Sequence, residues 1–193
     1  MLTISDNGIN LIKSFEGLSL FAYKCLPTEK YWTIGYGHYG TDVKSDSVIT
    51  MERAIELLRS DLKKYENRVN QFDSIYHFNQ NEFDALVSFC YNVGSINQLT
   101  NGGKRSRQEI ADKMLSYVKS GGNVVRGLVK RREKERTLFL TPNKYNNQVE
   151  YYAQLVIKGY FGNGAERKRR IPQETPYTYT QIQTRVNQIL RGV

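Results

Sequence analysis

The chain has 193 residues, 39% of them hydrophobic and 12% aromatic, with only four prolines. This length allows a cored fold without staples and excludes a disulfide miniprotein; the composition excludes collagen, low complexity and wholesale disorder. Lys plus Arg is 28 against 19 Asp plus Glu, a net +9, which favours anionic partners: nucleic acid, a membrane surface or an anionic cell-wall polymer.

No apolar run reaches the roughly 18 residues of a membrane helix, so integral membrane association is not expected. Two cysteines, Cys25 and Cys90, are too few for a disulfide framework and fit a reducing compartment of synthesis. The opening MLTISDNGINLIKSF lacks a basic stretch followed by an apolar block. No secretory signal is expected from it.

In chain order, Ile4, Gly8, Leu11, Ile12 and Phe15 lie on one helical stripe, with Ser5 or Asp6 as cap and Gly17 as stop. Residues 31–39, YWTIGYGHY, read as a short bent hairpin. A helix is predicted from Thr50, with Ala54, Leu57, Leu58, Leu62, Tyr65 and Val69 on one face. Another runs from about Gln80 to Asn92, with Phe83, Leu86, Val87 and Cys90 inward. Residues 95–105 read as loop. Ser106 and Glu109 form a capping box for a helix that Gly121-Gly122 ends. A last helix carries Leu128, Leu138 and Phe139 beside many charges.

At Thr141-Pro142-Asn143 the pattern breaks. We read domains at 1–141 and 149–193, joined by a linker at 142–148. The second part holds three helical patterns: one through Val149, Tyr152, Ala153 and Val156; one around Glu166–Arg170; and one opened by a Thr178/Gln181 capping box. The fold class is α+β, mostly helical with a small β-hairpin or sheet, followed by a three-helix module.

Glu16 sits at the edge of the first apolar stripe and at the C-terminal end of that helix. Partial burial and the negative end of the macrodipole both disfavour its charged form. A carboxyl that stays protonated near neutral pH is what a general acid needs. Taken alone, it is far better read as a solvent-facing glutamate. Around it stand Phe15-Glu16-Gly17, Ala22-Tyr23 and Thr33-Ile34-Gly35-Tyr36-Gly37-His38. With TMERAIELL at 50–58, NQNEFDALVSFCYNVG at 79–94 and GLVKRREKERTLF at 127–139, the chain resembles the phage-type lysozymes, glycoside hydrolase family 24.

The resemblance implies a lysozyme-like fold and hydrolysis of the β-1,4 bond between N-acetylmuramic acid and N-acetylglucosamine in peptidoglycan. Glu16 matches the family's catalytic acid. Cys25 and Thr33 match the positions that hold the attacking water. The family usually has five residues between these two, and this chain has seven, LPTEKYW. Glu29, inside that insertion, is the rival base; a surface-loop glutamate is the plainer reading. The family also implies a structural ion pair between His38 and Asp61, since a carboxylate near an apolar helix face needs a partner. It implies substrate contacts by Asn92 and by an arginine near Glu16, which is Arg131 or Arg132, with Arg131 preferred by its spacing to Phe139.

Residues 149–193 resemble the CW-seven type cell-wall-binding repeat, through AQLVIKGYFGNGAERKRR at 153–170 and the final QIQTRVNQIL. The implied wall-binding residues are Tyr160, Gly162, Asn163, Gly164, Arg167 and Arg170. Tyr160 and Phe161 would stack on a sugar, and Arg167 and Arg170 would fork to a peptide-stem carboxylate. A basic solvated helix is the alternative. Seven basic and three acidic residues give this half +4 of the charge.

Only one other histidine, His77, is present, and there is no HExxH; no metal and no cofactor are assigned. The expected partner is peptidoglycan and not nucleic acid, since KRSR, RREKER and ERKRR belong to no recognised nucleic-acid motif. A monomer is expected, made in a host cytoplasm and reaching the wall through a separate membrane pore. A lytic transglycosylase or a non-catalytic wall-binding protein are the alternatives.

Overall fold

The structure is a computed structural model that describes residues 1–142 and 144–191. It divides into two compact units, Met1–Thr141 and Pro142–Val193. The first unit opens with α1 (Asp6–Lys13) and an antiparallel sheet of β1 (Ser19–Tyr23), β2 (Trp32–Gly35) and β3 (His38–Gly40), ordered β1-β2-β3. Helices α2 (Met51–Asn70), α3 (Asp73–Tyr76), α4 (Gln80–Val93), α5 (Asn97–Thr100) and α6 (Arg107–Met114) follow. A small hairpin, β4 (Lys119–Ser120) with β5 (Asn123–Val124), leads into α7 (Arg126–Leu140).

Helix α4 is the axle of this unit. Glu82 through Cys90 are all buried, so every side of the helix is covered. Helices α1, α2 and α7 pack against it. Phe83, Leu86 and Phe89 have no exposed surface, and each such side chain contributes about 1.5–3 kcal/mol of burial. Asn79 and Glu82 close a reciprocal capping box at its start, and Ser106 with Glu109 does the same for α6.

Helix α1 is gripped at its N-terminus. The wholly buried Asp84 carboxylate accepts hydrogen bonds from the Ser5 N–H at 3.0 Å, the Gln80 Nε2 at 2.8 Å and the Ser5 hydroxyl. Burial pushes the Asp84 carboxyl above the usual carboxylate range, and these bonds oppose that. A Cβ at Gly8 would lie 2.6 Å from Ile4 Cγ1 and 2.8 Å from Asp84 Cγ, so only glycine lets the helix come this close.

Several sequence expectations are corrected. Helix α1 stops at Lys13, capped by Ser14, well before Gly17. Strand β1 was not foreseen; its register slips between Ser19 and Tyr23, and Phe21 bridges to Val48. Residues 97–100, expected as loop, form α5. Helix α6 ends at Met114, and Gly121-Gly122 instead turns the β4–β5 hairpin. Both glycines have positive φ, +55° and +84°, which a two-residue hairpin turn of this hand requires.

The second unit holds α8 (Lys144–Ile157), α9 (Gly164–Glu174) and α10 (Tyr179–Arg191). Helix α8 begins at Lys144, inside the stretch 142–148 read as a linker, and Asn143 lies outside the described residues. Ala153, Val156, Phe161, Ile171, Tyr177, Ile182 and Val186 form its core. Thr178 and Gln181 cap α10 through reciprocal bonds of 2.8 and 3.3 Å. Among the described residues no helix is long and apolar enough to cross a membrane.

Candidate active site

Glu16 lies three residues beyond α1, yet its backbone N–H still donates to the Ile12 carbonyl at 3.1 Å. Its carboxylate accepts a hydrogen bond from Arg131 Nη1 at 2.7 Å. The two side chains are 26% and 5% exposed, so this charge-assisted bond is screened little by water. Arg131 is held in turn by the Glu135 carboxylate, 3.1 Å from Nε, and the Ser88 carbonyl, 3.3 Å from Nη2. Its guanidinium also stacks over the Phe15 ring. The first helix therefore supplies the carboxyl and α7 supplies the cation that faces it.

The sheet brings the other candidates. Thr33 is buried in β2, opposite Tyr23 of β1 and Tyr39 of β3. Cys25 is exposed, two residues past β1. Its backbone N–H donates to Glu29 Oε2 at 2.9 Å, and Lys24 Nζ donates to the Glu29 carbonyl at 2.6 Å. The two extra residues thus fold as a turn that returns the Glu29 carboxylate to the Cys25 main chain. Tyr23 marks where these groups converge. Burial raises its phenol above the usual tyrosine range, and its electrostatic interactions with Cys25, Glu29 and Glu16 raise it further.

Tyr91 of α4 stands against the same carboxyl. Burial pushes its phenol far up, and Glu16 and Asp61 add to this while Arg131 opposes it. Its hydroxyl donates to the Tyr36 carbonyl at 3.0 Å. Tyr23 stands in the sequence motif as Ala22-Tyr23, but neither tyrosine was given a role there, since one of 14 tyrosines carries no mark of its neighbours.

Arg131 and Arg132 both point inward, although the sequence set one against the other. Arg132 has no exposed surface and donates through Nη2 to Asn92 Oδ1 at 2.8 Å. That bond turns the amide of the exposed Asn92 so that its oxygen faces the protein. Glu135, also wholly buried, joins the two arginines and accepts the Ser88 hydroxyl at 2.7 Å. The sequence reading passed over Glu135, although its spacing of four and three from two arginines on a helix was a usable signal.

His38 sits between two carboxylates. Nδ1 lies 2.9 Å from Asp61 Oδ2 and Nε2 lies 3.0 Å from Asp42 Oδ2. Asp42 was not foreseen. Burial works against charging the imidazole, but the hydrogen bonds and charges of Asp42 and Asp61 outweigh it and raise the His38 pKa. Asp42 is lowered, first by its bond to His38.

In the second unit, Gly162 and Gly164 both have positive φ, +69° and +53°, around Asn163. Arg167 braces this turn, donating to the Gly162 carbonyl at 3.1 Å, Asn163 Oδ1 at 3.0 Å and Gln183 Oε1 at 3.2 Å. Arg170 forks onto Glu174 at 2.6 and 3.0 Å and donates to the Tyr160 carbonyl at 2.8 Å. Tyr160 is exposed, whereas Phe161, expected to face a sugar, is 1% exposed in the core. The helix-pair geometry needs that ring to fill the small core, and Tyr152 packs against it.

Among the described residues, no group of three or more His, Cys, Asp or Glu side chains is placed to hold a metal ion. A separate groove of about 450 Å³ between α1 and α7, lined by Asn10, Leu11, Thr137 and Leu138 among others, includes none of the candidate catalytic side chains.

Comparison with known proteins agrees with this architecture. Residues 13–135 match the family model "Phage lysozyme", and residues 150–190 match "CW_7 repeat". An endolysin of Bacillus phage B103 is 51% identical over 152 residues, 75% of this chain; the chain spans only 57% of that relative's length. The muramidase domain of SpmX from Asticaccaulis excentricus superposes with a TM-score of 0.61 at 38% identity, covering 74% of this chain and all of that one. A lysozyme mutant of phage P22 gives 0.60 at 34% identity, over 73% of this chain and all of the other. With its helical first unit, its small antiparallel sheet and these relatives, the chain belongs to the phage lysozyme family and carries a CW_7 repeat at residues 150–190.

Proposed function

We propose that this chain is an endolysin-type muramidase that hydrolyses the β-1,4 bond between N-acetylmuramic acid and N-acetylglucosamine in bacterial peptidoglycan. The observation that carries the reading is the Glu16 carboxyl, 26% exposed and paired with the buried Arg131 at 2.7 Å. Glu16 gives its proton to the glycosidic oxygen as the bond to the anomeric carbon breaks. A water on the opposite face, positioned by Thr33 and Cys25, forms the new bond to that carbon and loses a proton to a nearby base. Water attack from the far side gives inversion. Asn92 offers its amide NH₂ to the sugar, and Arg131 orients Glu16. The His38–Asp61 contact anchors the sheet to α2.

One observation favours a second base. A carboxylate is ionised at neutral pH where a thiol is mostly protonated. The Glu29 carboxylate accepts the Cys25 backbone N–H at 2.9 Å, which puts a carboxylate beside Cys25. In this version Cys25 shapes the turn and Glu29 takes the proton.

The CW_7 half is proposed to hold the enzyme on the wall, raising its local concentration there. Tyr160 and the Gly162-Asn163-Gly164 turn form the exposed surface. Arg167 and Arg170 would reach a stem carboxylate by exchanging internal partners, Glu174 above all. The partner is peptidoglycan rather than nucleic acid, the working form is a monomer, and access to the wall is through a separate pore.

Turbidity clearing of purified walls tests the reading. Glu16→Gln is expected to abolish clearing while the protein stays folded; full clearing by that variant removes Glu16 from the mechanism. Among Cys25→Ser, Cys25→Asp and Glu29→Gln, loss confined to Glu29→Gln makes Glu29 the base. Product mass separates hydrolysis, which adds water, from anhydro-sugar formation by a transglycosylase.

A further inference from the structure

The α4–α7 interface contains a charged cluster that the proposed chemistry does not by itself require. Four side chains stand in a row: Glu16, Arg131, Glu135 and Arg132. Arg131, Arg132 and Glu135 are 5%, 0% and 0% exposed. Burying three charges is costly, and proteins do not retain such groups without partners. Glu135 has three: Arg131 Nε at 3.1 Å and the Ser88 hydroxyl at 2.7 Å donate to Oε1, and Arg132 Nε lies 3.0 Å from Oε2 as an ion pair without hydrogen-bond geometry. Arg132 Nε and Nη1 and Glu135 Oε2 are buried without a hydrogen-bond partner. The Arg132 guanidinium packs over the Phe89 ring. The cluster is arranged around Glu135, and Arg132 fits it imperfectly.

The charge count is informative. Two guanidiniums and the Glu135 carboxylate sum to +1, and an ionised Glu16 brings the cluster to zero. Without Glu135, Glu16 would face two uncompensated cations and would hold its proton poorly. Glu135 also fixes geometry. Arg131 Nε, held by Glu135, leaves Nη1 for Glu16, and Arg132 Nη2 is shared between Glu135 Oε1 at 3.4 Å and Asn92 Oδ1 at 2.8 Å. A single buried carboxylate therefore connects the proposed acid to the proposed sugar-binding amide.

We propose that Glu135 is a positioning residue for the reaction, whose buried carboxylate neutralises one of two guanidiniums and aims Arg131 at Glu16 and Arg132 at Asn92. This rests on the reading of Glu16 as the general acid. Glu135 touches no substrate and acts only through the two arginines and Ser88. The other groups that face Glu16 are Tyr91 from α4 and, from the sheet side, Tyr23 with Cys25 and Glu29 around it. None of these lies in the buried cluster, so a change at Glu135 reaches Glu16 through Arg131.

The test is the pH profile of wall clearing by the full chain. A general acid works while protonated, so activity falls as pH rises through its titration. Glu135→Gln keeps the shape and removes the charge. It is expected to move the alkaline limb about one pH unit toward acid, with activity at neutral pH down about tenfold and recovered at lower pH. Arg132→Gln removes the cation that Glu135 offsets and is expected to move the limb the other way. Ser88→Ala withdraws one hydrogen bond from Glu135 and is expected to move it as Glu135→Gln does, by less. Loss by the same factor at every pH in Glu135→Gln would mean a structural role and overturns the proposal. Should Glu135→Gln not fold, an unmoved limb in Arg132→Gln overturns it. Full clearing by Glu16→Gln, in contrast, overturns the reading of the acid itself, so the two failures are distinct.

Discussion

The same pair of side chains, arginine with glutamate, is used in opposite ways in the two units. In the first, Arg131, Arg132 and Glu135 are sealed between α4 and α7. In the second, Arg170 forks onto Glu174 on the half-exposed face of α9, with the side chains 24% and 38% exposed. Bond length does not distinguish them; solvent does. An exposed pair gains little from Coulomb attraction because water screens it, whereas a buried charge that loses its partner is left stranded. The difference teaches that three charged residues of α7, Arg131, Arg132 and Glu135, belong to the interior, although composition alone marks both segments as basic surface.

The comparison can be broken by removing one partner at a time. The largest effect is expected from Arg131→Met, which strands Glu16 and half of Glu135. Denaturant unfolding should report a loss of about 3–5 kcal/mol; a loss near zero would mean that the cluster is wet. An intermediate case is His38, partly buried between Asp42 and Asp61. Its raised pKa means that its stabilising contribution is complete below the unfolded value of about 6.5 and disappears as pH rises through the folded one. Asp42 is lowered, so its share is present above about pH 4 and lost as pH falls through its folded value. The melting-temperature gap between the parent and His38→Asn should be widest from about pH 4 to 6.5. A gap that grows above pH 8 would contradict this. Arg53 is the other charge that bears on Asp42. The smallest effect is expected from Glu174→Gln, which should leave the melting temperature unchanged within error; a clear drop would show that the surface pair is more than decorative.

What the sequence made legible follows from range. Capping is local, so Ser106 with Glu109 and Thr178 with Gln181 could be read three residues apart. The stripe Ala54, Leu57, Leu58, Leu62 and Val69 repeats at the helical period and is buried as that period requires. Strand β1 was missed because SLFAY is five residues long and its partners lie a loop away at Val48 and Thr33. Gly121-Gly122 punctuates the chain as expected, but a glycine pair marks a hairpin as readily as a helix end. At the candidate site, the motif pointed to Glu16 and to an arginine of α7. It could not show that Glu135 draws both arginines inward, because a buried ion cluster and a solvated charged face have the same letters. Phe161 failed for a related reason: an aromatic beside a glycine turn reads equally as ligand platform or as core.

The grip of Asp84 on Ser5 has a mechanical meaning. From Ser5 to Glu16 the chain runs eleven residues, about 16 Å at the helical rise. Over that arm a tilt of only about 4° would swing the carboxyl by about 1 Å, enough to spoil a near-attack arrangement. The fulcrum therefore has to be stiff, and a carboxylate locked under a glycine supplies that stiffness at the end of the lever farthest from the sugar.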